Sequence, residues 1–220
     1  MALPDGYLAG WQQVPIVVMV QAPVGADVWL WPTWYRLQVL VAWRLSGTGQ
    51  PVTCRAAHPW AGSLGSGVVT GLVFLAAFGL EAGESCASVQ QPFPPPLLAK
   101  TVAPTPYDAP GAAGGPDLYV QKDGFRETFC ADVPADMADV MFVTQRPLAV
   151  AALNEKATAA GWKTKPSWFL VSEHDNAISP DAERFMAQRM GATTGTIDGS
   201  HTAFIAKPVA AATFIRQALR

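Results

Sequence analysis

The fold is indicated most directly by the stretch Ser167-Trp168-Phe169-Leu170-Val171, which runs into the polar segment Ser172-Glu173-His174-Asp175. A short, nearly continuous apolar run is typical of a strand that is buried on both faces of a parallel sheet. Open α/β sheets carry functional groups in the loops beyond the carboxyl ends of such strands. The stretch therefore predicts a parallel strand that places Asp175 at a site.

Similar apolar runs occur at Pro15–Val20, Val68–Phe78 and Thr194–Ile197. After the strand before Asp175, a helix is expected to begin, with Ser179 as N-cap and Pro180 at its first position. The first turn of this helix contains Asp181 and Glu183, whose negative charges would favour the positive end of the helix dipole. Its apolar face is assigned to Phe185, Met186 and Met190. Another helix is predicted from Pro208 to Leu219. Alternating strands and helices predict an α/β fold with a mostly parallel sheet flanked by helices.

A long insert separates the second and third predicted strands. Residues Gln91–Gly115 are rich in Pro, Gly and Ala, which predicts a loop. Helical patterns follow at Gly124–Ala131, Pro134–Thr144 and Pro147–Ala160.

His201 follows the last predicted strand, as Asp175 follows the one before it. An aspartate that orients an imidazole, and an imidazole that takes a proton from a hydroxyl, form the base half of a Ser-His-Asp triad. Each residue also has a simpler interpretation, since a loop aspartate is often a turn residue and a single histidine is often structural. His174, beside Asp175, is the rival histidine and is expected to face solvent.

Asp175 and His201 belong to a longer set of motifs that occur in a fixed order along the chain. Among them are Phe129-Cys130-Ala131-Asp132-Val133-Pro134, Thr144-Gln145-Arg146-Pro147 and Gly199-Ser200-His201-Thr202. From about Gly71 to Arg220 the chain resembles compact bacterial α/β-hydrolases related to plant methylesterases and hydroxynitrile lyases. The resemblance implies an α/β-hydrolase-like single domain over residues 1–220, with a helical cap inserted at about 85–160. It also implies Asp175 as the triad acid and His201 as the general base.

The first half departs from this pattern. Residues 1–80 hold only the five charged residues Asp5, Asp27, Arg36, Arg44 and Arg55, and this half is too short for all the family's elements. Ala56–Gly62 resembles the nucleophile turn, but Pro59 stands at the serine position and has no hydroxyl to attack an acyl carbon. Pro23 lies where a backbone N–H is expected to stabilise an oxyanion, and proline has no such N–H.

Ser63, in Ala61-Gly62-Ser63-Leu64-Gly65, is the substitute nucleophile that the sequence offers, although a serine in such a segment is often only a loop residue. Two functions remain open. One is hydrolysis of small esters or acyl substrates by Ser63, His201 and Asp175, impaired by the change at Pro59. The alternative is a catalytically inactive hydrolase fold that binds a small apolar ligand.

Composition excludes several other classes. The net charge of −2 and the lack of a Lys/Arg run argue against nucleic-acid binding. Three widely spaced cysteines without a C-x-x-C motif predict neither a disulfide scaffold nor a metal site, and no cofactor is expected. The apolar runs are too short for membrane insertion, which suggests a cytoplasmic protein. A small-molecule substrate or ligand is the expected partner, and the oligomeric state stays open, with a homodimer as one option.

Overall fold

The computed structural model describes the backbone of residues 16–20, together with residues 71–106 and 116–218. The strands of this part, in chain order, are β1 (Ile16–Val20), β2 (Gly71–Leu75), β3 (Val102–Thr105), β4 (Asp117–Val120), β5 (Leu148–Ala149), β6 (Ser167–Ser172) and β7 (Thr193–Ile197). Its α-helices are α1 (Cys86–Gln90), α2 (Leu98–Thr101), α3 (Lys122–Phe129), α4 (Ala135–Val143), α5 (Val150–Asn154), α6 (Pro180–Arg189), α7 (Ala203–Ala206) and α8 (Pro208–Gln217).

The main sheet has the strand order β1-β2-β6-β7. Strand β6 pairs in parallel with both β2 and β7, whereas β1 runs antiparallel to β2. Strands are therefore present at all four predicted positions, Pro15–Val20, Val68–Phe78, Ser167–Val171 and Thr194–Ile197. Two details differ: β1 is antiparallel rather than parallel to its neighbour, and β2 ends at Leu75. The sheet is mostly parallel, as expected.

Both faces of the sheet are covered, which fits the apolar sequence of β2 and of the central residues Trp168–Val171 of β6. One face packs Phe74 and Phe169, whose rings stack at 5.5 Å, against Met186 of α6. The other face packs Val73 and Leu170 against α8. Burying apolar side chains on both faces stabilises the layered arrangement by roughly 25 cal/mol for each Å² removed from water.

Helix α6 begins where the sequence places it, with Ser179 as N-cap and Pro180 in the first turn. Two details differ from expectation. The Ser179 side chain makes no capping hydrogen bond. Phe185 is not on the buried face: it is 43% exposed, and it packs beside Phe93 and the guanidinium of Arg189. Met186 and Met190 are buried as predicted.

The insert between β2 and β6 is only partly helical. Helices α3 and α4 agree closely with the patterns at Gly124–Ala131 and Pro134–Thr144. The third predicted helix, Pro147–Ala160, is wrong over much of its length, because Leu148 and Ala149 form β5 and α5 ends at Asn154. Strands β3, β4 and β5 make a small antiparallel sheet that local patterns did not predict.

The insert has its own apolar cluster, and its two ends meet. Phe125 and Phe129 of α3 pack with Val133 and with Met141 of α4. At the base of the insert, Gly83 N–H donates to the Ala157 carbonyl at 2.7 Å, and Ala157 N–H donates to the Glu84 carbonyl at 2.7 Å. Backbone hydrogen bonds at residues 83–84 and 157 therefore hold the two ends of the insert together.

The remaining predictions about the first half, at Pro23, Pro59 and Ser63, fall on residues 21–70, which lie outside the described residues. Within the described ranges, no helix is long and apolar enough to span a membrane.

Candidate functional site

The carboxyl ends of β6 and β7 bring two loops together. Glu173 N–H donates to the Ile197 carbonyl at 3.0 Å, and His174 N–H donates to the Gly199 carbonyl at 3.1 Å. These bonds continue the parallel pairing of the two strands for two residues beyond the sheet. Asp175 and His201, which lie 26 positions apart in sequence, therefore meet at one edge of the sheet.

Asp175 is buried and held by three hydrogen bonds. Its Oδ1 accepts from the backbone N–H groups of Ala177, at 2.6 Å, and of Ile178, at 2.9 Å. Its Oδ2 lies 2.7 Å from Nδ1 of His201. The side chain of Asp175 is 0% exposed, so these partners replace water around its carboxylate. The carboxylate is fixed in one orientation by its own loop and aimed at the imidazole.

His201 contacts Asp175 through Nδ1, and its second ring nitrogen, Nε2, is left for a further partner. Its side chain is 18% exposed, and Phe129 packs edge-on against the ring with centroids 5.0 Å apart. In the described ranges, no hydrogen bond engages Nε2. With a proton on Nδ1 facing the carboxylate, Nε2 carries the lone pair and can take a proton from a hydroxyl.

The turn at the end of α3 anchors the loop that carries His201. The Phe129 carbonyl accepts from the Ser200 hydroxyl at 3.1 Å, and from the Thr202 backbone N–H and hydroxyl at 3.0 Å each. Asp132 adds bonds to the Ser200 N–H, at 3.1 Å, and to its hydroxyl. The residues on both sides of His201 are therefore fixed to the insert.

The insert also contacts the loop of Asp175. Leu98 N–H donates to the Asn176 carbonyl at 2.9 Å, and the Asn176 side-chain amide donates to the Glu127 carbonyl at 3.0 Å. Ala177 belongs to the same apolar cluster as Phe125 and Phe129. Both loops of the site thus lie against the insert.

His174 is separated from this arrangement, as predicted. Its side chain is 70% exposed, and it pairs with the equally exposed Asp198 at 2.9 Å. A surface pair of this kind contributes little to stability. Of the two histidines in the described part of the chain, His201 is therefore the one whose surroundings fit a chemical role.

Sequence reasoning missed Glu183. The sequence assigns it to the helix dipole, but in the structure its side chain is fully buried and its Oε2 accepts from the Ser172 N–H at 2.9 Å. Burial and, after it, the negative charge of Asp175 raise the pKa of Glu183 well above its usual range. Its position one turn into α6, facing the sheet like Met186, is the signal that could have identified it as buried.

Ser63, the proposed nucleophile, and Pro59, at the usual nucleophile position, lie outside the described residues. Among the residues that the structure describes, no group of three or more His, Cys, Asp or Glu side chains could hold a metal ion.

A model of the alpha/beta hydrolase family matches residues 30–213. The chain belongs to the alpha/beta hydrolase family. This agrees with the parallel sheet flanked by helices and confirms the family that the motifs suggest. No curated protein sequence matches the chain.

Several solved structures have a similar fold. Polyneuridine aldehyde esterase is 11% identical to this chain with a TM-score of 0.57, and the alignment covers 68% of this chain and 62% of the esterase. A methylesterase from Arabidopsis is 14% identical with a TM-score of 0.53, and the alignment covers 70% of this chain and 60% of the methylesterase. A pyrethroid hydrolase is 16% identical with a TM-score of 0.55, and covers 72% and 63%. At such identities the likeness shows the fold alone, and the match spans less than two thirds of each of these structures.

Proposed function

We propose that this alpha/beta hydrolase family member hydrolyses small esters or related acyl substrates, with His201 as general base and Asp175 as the residue that orients it. The observation that carries the proposal is the 2.7 Å contact between His201 Nδ1 and the buried Asp175 carboxylate, with Nε2 of the same ring left for a hydroxyl. Orientation of the imidazole by a buried carboxylate is what a Ser-His-Asp mechanism requires.

In this proposal Ser63 supplies the nucleophile. Its Oγ forms a bond to the acyl carbon while Nε2 of His201 takes the hydroxyl proton, and the carbonyl electron pair moves onto oxygen. When this intermediate collapses, the carbonyl re-forms and the alcohol leaves with the proton from His201. Water then attacks the acyl carbon while His201 takes its proton, and the acid is released as Ser63 regains a proton from His201. Asp175 stabilises the imidazolium each time it forms.

We also propose that residues 85–160 act as a cap over the site within a single domain. The support is contact: the insert bonds to both loops, through Phe129 and Asp132 on the His201 side and through Leu98 on the Asp175 side. A cover of this kind excludes water and creates an apolar space for the acyl group. Small apolar acyl substrates are therefore the class expected.

The test is hydrolysis of short p-nitrophenyl esters by the full chain. Ser63→Ala, His201→Ala and Asp175→Asn are each expected to lower kcat by about 10⁴-fold or more, because triad members act as one unit. His174→Ala is the matched control, since it removes an exposed imidazole and should leave kcat unchanged. Activity that survives His201→Ala would refute the assignment of the base.

The nucleophile is tested separately with a fluorophosphonate, which bonds covalently to an activated serine. Peptide mapping should place the label on Ser63 and find none in His201→Ala. A label on a different serine would remove Ser63 from the mechanism and leave His201 and Asp175 in place.

A second function is favoured by one specific residue, Pro59 at the nucleophile position. In this alternative the chain is a catalytically inactive hydrolase fold that binds a small apolar ligand beneath the insert. Aliphatic esters would then raise the melting temperature without being hydrolysed, and Ser63→Ala would leave that increase unchanged.

A further inference from the structure

Glu183 combines complete burial with incomplete hydrogen bonding. Its side chain is 0% exposed. Oε2 accepts one bond, from the Ser172 N–H at 2.9 Å, whereas Oε1 has no hydrogen-bond partner in the described ranges. An ionised carboxylate in such a position loses its hydration and gains little in return, so the neutral acid is the favoured form.

The surroundings of Glu183 strengthen this preference. Asp175 is its neighbouring ionisable group, and two carboxylates that share a buried site cannot both be ionised without strong repulsion. Arg184 is the positive group that acts on Glu183, but it is half exposed and pairs with Asp181 at 3.0 Å. His201 is the partner of Asp175, whose Oδ2 lies 2.7 Å from its Nδ1.

The hydrogen bonds decide which carboxyl group holds the charge. Asp175 faces three donors, the N–H groups of Ala177 and Ile178 and Nδ1 of His201. In the part of the chain that the structure describes, Glu183 faces one donor, the N–H of Ser172. Donors stabilise a carboxylate relative to its acid, so the negative charge belongs on Asp175 and the proton on Glu183.

We propose that Glu183 is a positioning residue that is a neutral carboxylic acid in the folded chain and donates its O–H to Asp175. The loop then presents one negative charge to His201, and Asp175 is held from its own loop and from α6. The protonation state of Glu183 follows from its burial and its hydrogen bonds, whereas the consequence for catalysis rests on the proposed function.

The proton on Glu183 is directly observable by infrared spectroscopy. The wild-type chain at neutral pH should show the C=O stretch of a buried carboxylic acid, shifted by uniform ¹³C labelling of glutamate and lost in Glu183→Gln. Glutamine preserves the shape, accepts from the Ser172 N–H and donates to Asp175. A wild-type spectrum without this band overturns the proposal, and that measurement does not depend on any variant folding.

Stability gives an independent measure. A carboxyl group whose pKa is raised on folding keeps its proton in the folded chain and loses it in the unfolded chain, so stability falls as pH rises above the ordinary value of 4.5. Relative to Glu183→Gln, the wild-type unfolding constant should therefore rise by up to about tenfold per pH unit above that value. Glu173→Gln, which removes an exposed carboxylate from the same loop, is the matched control. A ratio that stays constant with pH would show that folded Glu183 is ionised.

The positioning role is tested with p-nitrophenyl esters. Glu183→Met removes the hydrogen bonds and should lower kcat by about tenfold with little change in KM, since small displacements of a catalytic group are costly. Glu183→Gln should restore kcat. Equal losses in both variants would refute the positioning role. An inactive wild type would instead reject the proposed function, while the infrared band and the pH slope still decide the state of Glu183.

Discussion

Asp132 hydrogen-bonds to Ser200, the residue that immediately precedes His201: the Ser200 N–H donates to Asp132 Oδ2 at 3.1 Å, and the Ser200 hydroxyl donates to Oδ1. Asp132 belongs to the turn after α3, within the insert, and Ser200 to the loop after β7. The two residues are in direct contact although they are 68 positions apart in the sequence. It links the insert to the residue that controls the position of the imidazole.

Replacing Asp132 should loosen this loop. Asp132 is largely exposed, so Asp132→Ala is expected to lower the free energy of unfolding by only about 1 kcal/mol, the ordinary value for a hydrogen bond with access to water. The sharper measurement is hydrogen exchange, in which the Ser200 amide should lose protection. Asp139→Ala, at an exposed position on α4, is the control. Unchanged protection of Ser200 would contradict the prediction.

Gly199 is expected to resist substitution because there is no room for a side chain. A Cβ atom at this position would lie 2.6 Å from the Ala203 Cβ and closer still to Asp132 Oδ2. Gly199→Ala should therefore destabilise the chain by about 1–3 kcal/mol, as overpacked positions usually do. Denaturant unfolding measures this loss. In an Asp132→Ala background, which removes the nearer of the two contacts, Gly199→Ala should cost less stability, and an equal cost in both backgrounds would show that the contact with Asp132 is not the cause.

Arg189 closes the base of the insert through a fork of hydrogen bonds. It donates to both Glu84 carboxylate oxygens, at 2.6 and 2.8 Å, and to the Gly79 carbonyl at 2.8 Å. Lysine cannot reproduce this geometry, so Arg189→Lys should cost about 1–2 kcal/mol of stability. Arg184→Lys, at an exposed pair with Asp181, should cost almost nothing.

The same pair predicts a pH dependence. The hydrogen bonds from Arg189 lower the pKa of Glu84 below its usual value of 4.5. Stability from this pair is therefore complete above that pH and is lost as pH falls through the lower pKa of the folded chain. Acid titrations of wild type and Arg189→Lys should converge at low pH. Curves that stay parallel would show that the pair does not carry the effect.

The thiols of Cys86 and Cys130 should be unreactive in the folded chain. Both are free and buried, and burial raises the pKa of each to about 11. The thiolate is the reactive form, so little of either will be alkylated at pH 8. Peptide mapping after iodoacetamide treatment should find them labelled only in denaturant. Rapid labelling of Cys130 under native conditions would indicate that the turn after α3 opens.

The sequence predicted the elements that local patterns determine. An apolar run identified β6, a short run with β-branched residues identified β7, and Ser179-Pro180 located the start of α6, because these signals depend on near neighbours in the chain. The insert was harder to predict. Strands β4 and β5 pair Leu118 with Leu148, and a short strand gains its hydrogen bonds from a partner that local sequence does not reveal. For the same reason the predicted helix Pro147–Ala160 was too long.

The sequence by itself determined the order of the main-sheet strands and of α6, and the positions of Asp175 and His201 just beyond two strands. Only the tertiary structure decided that these side chains meet at 2.7 Å, that Asp132 holds the loop of His201, and that Glu183 lies beside Asp175 rather than in solvent. The physical reason is that periodicity records which residues are apolar along one element. Hydrogen bonds between buried carboxyl groups and loops depend on how separate elements pack, which no single element encodes.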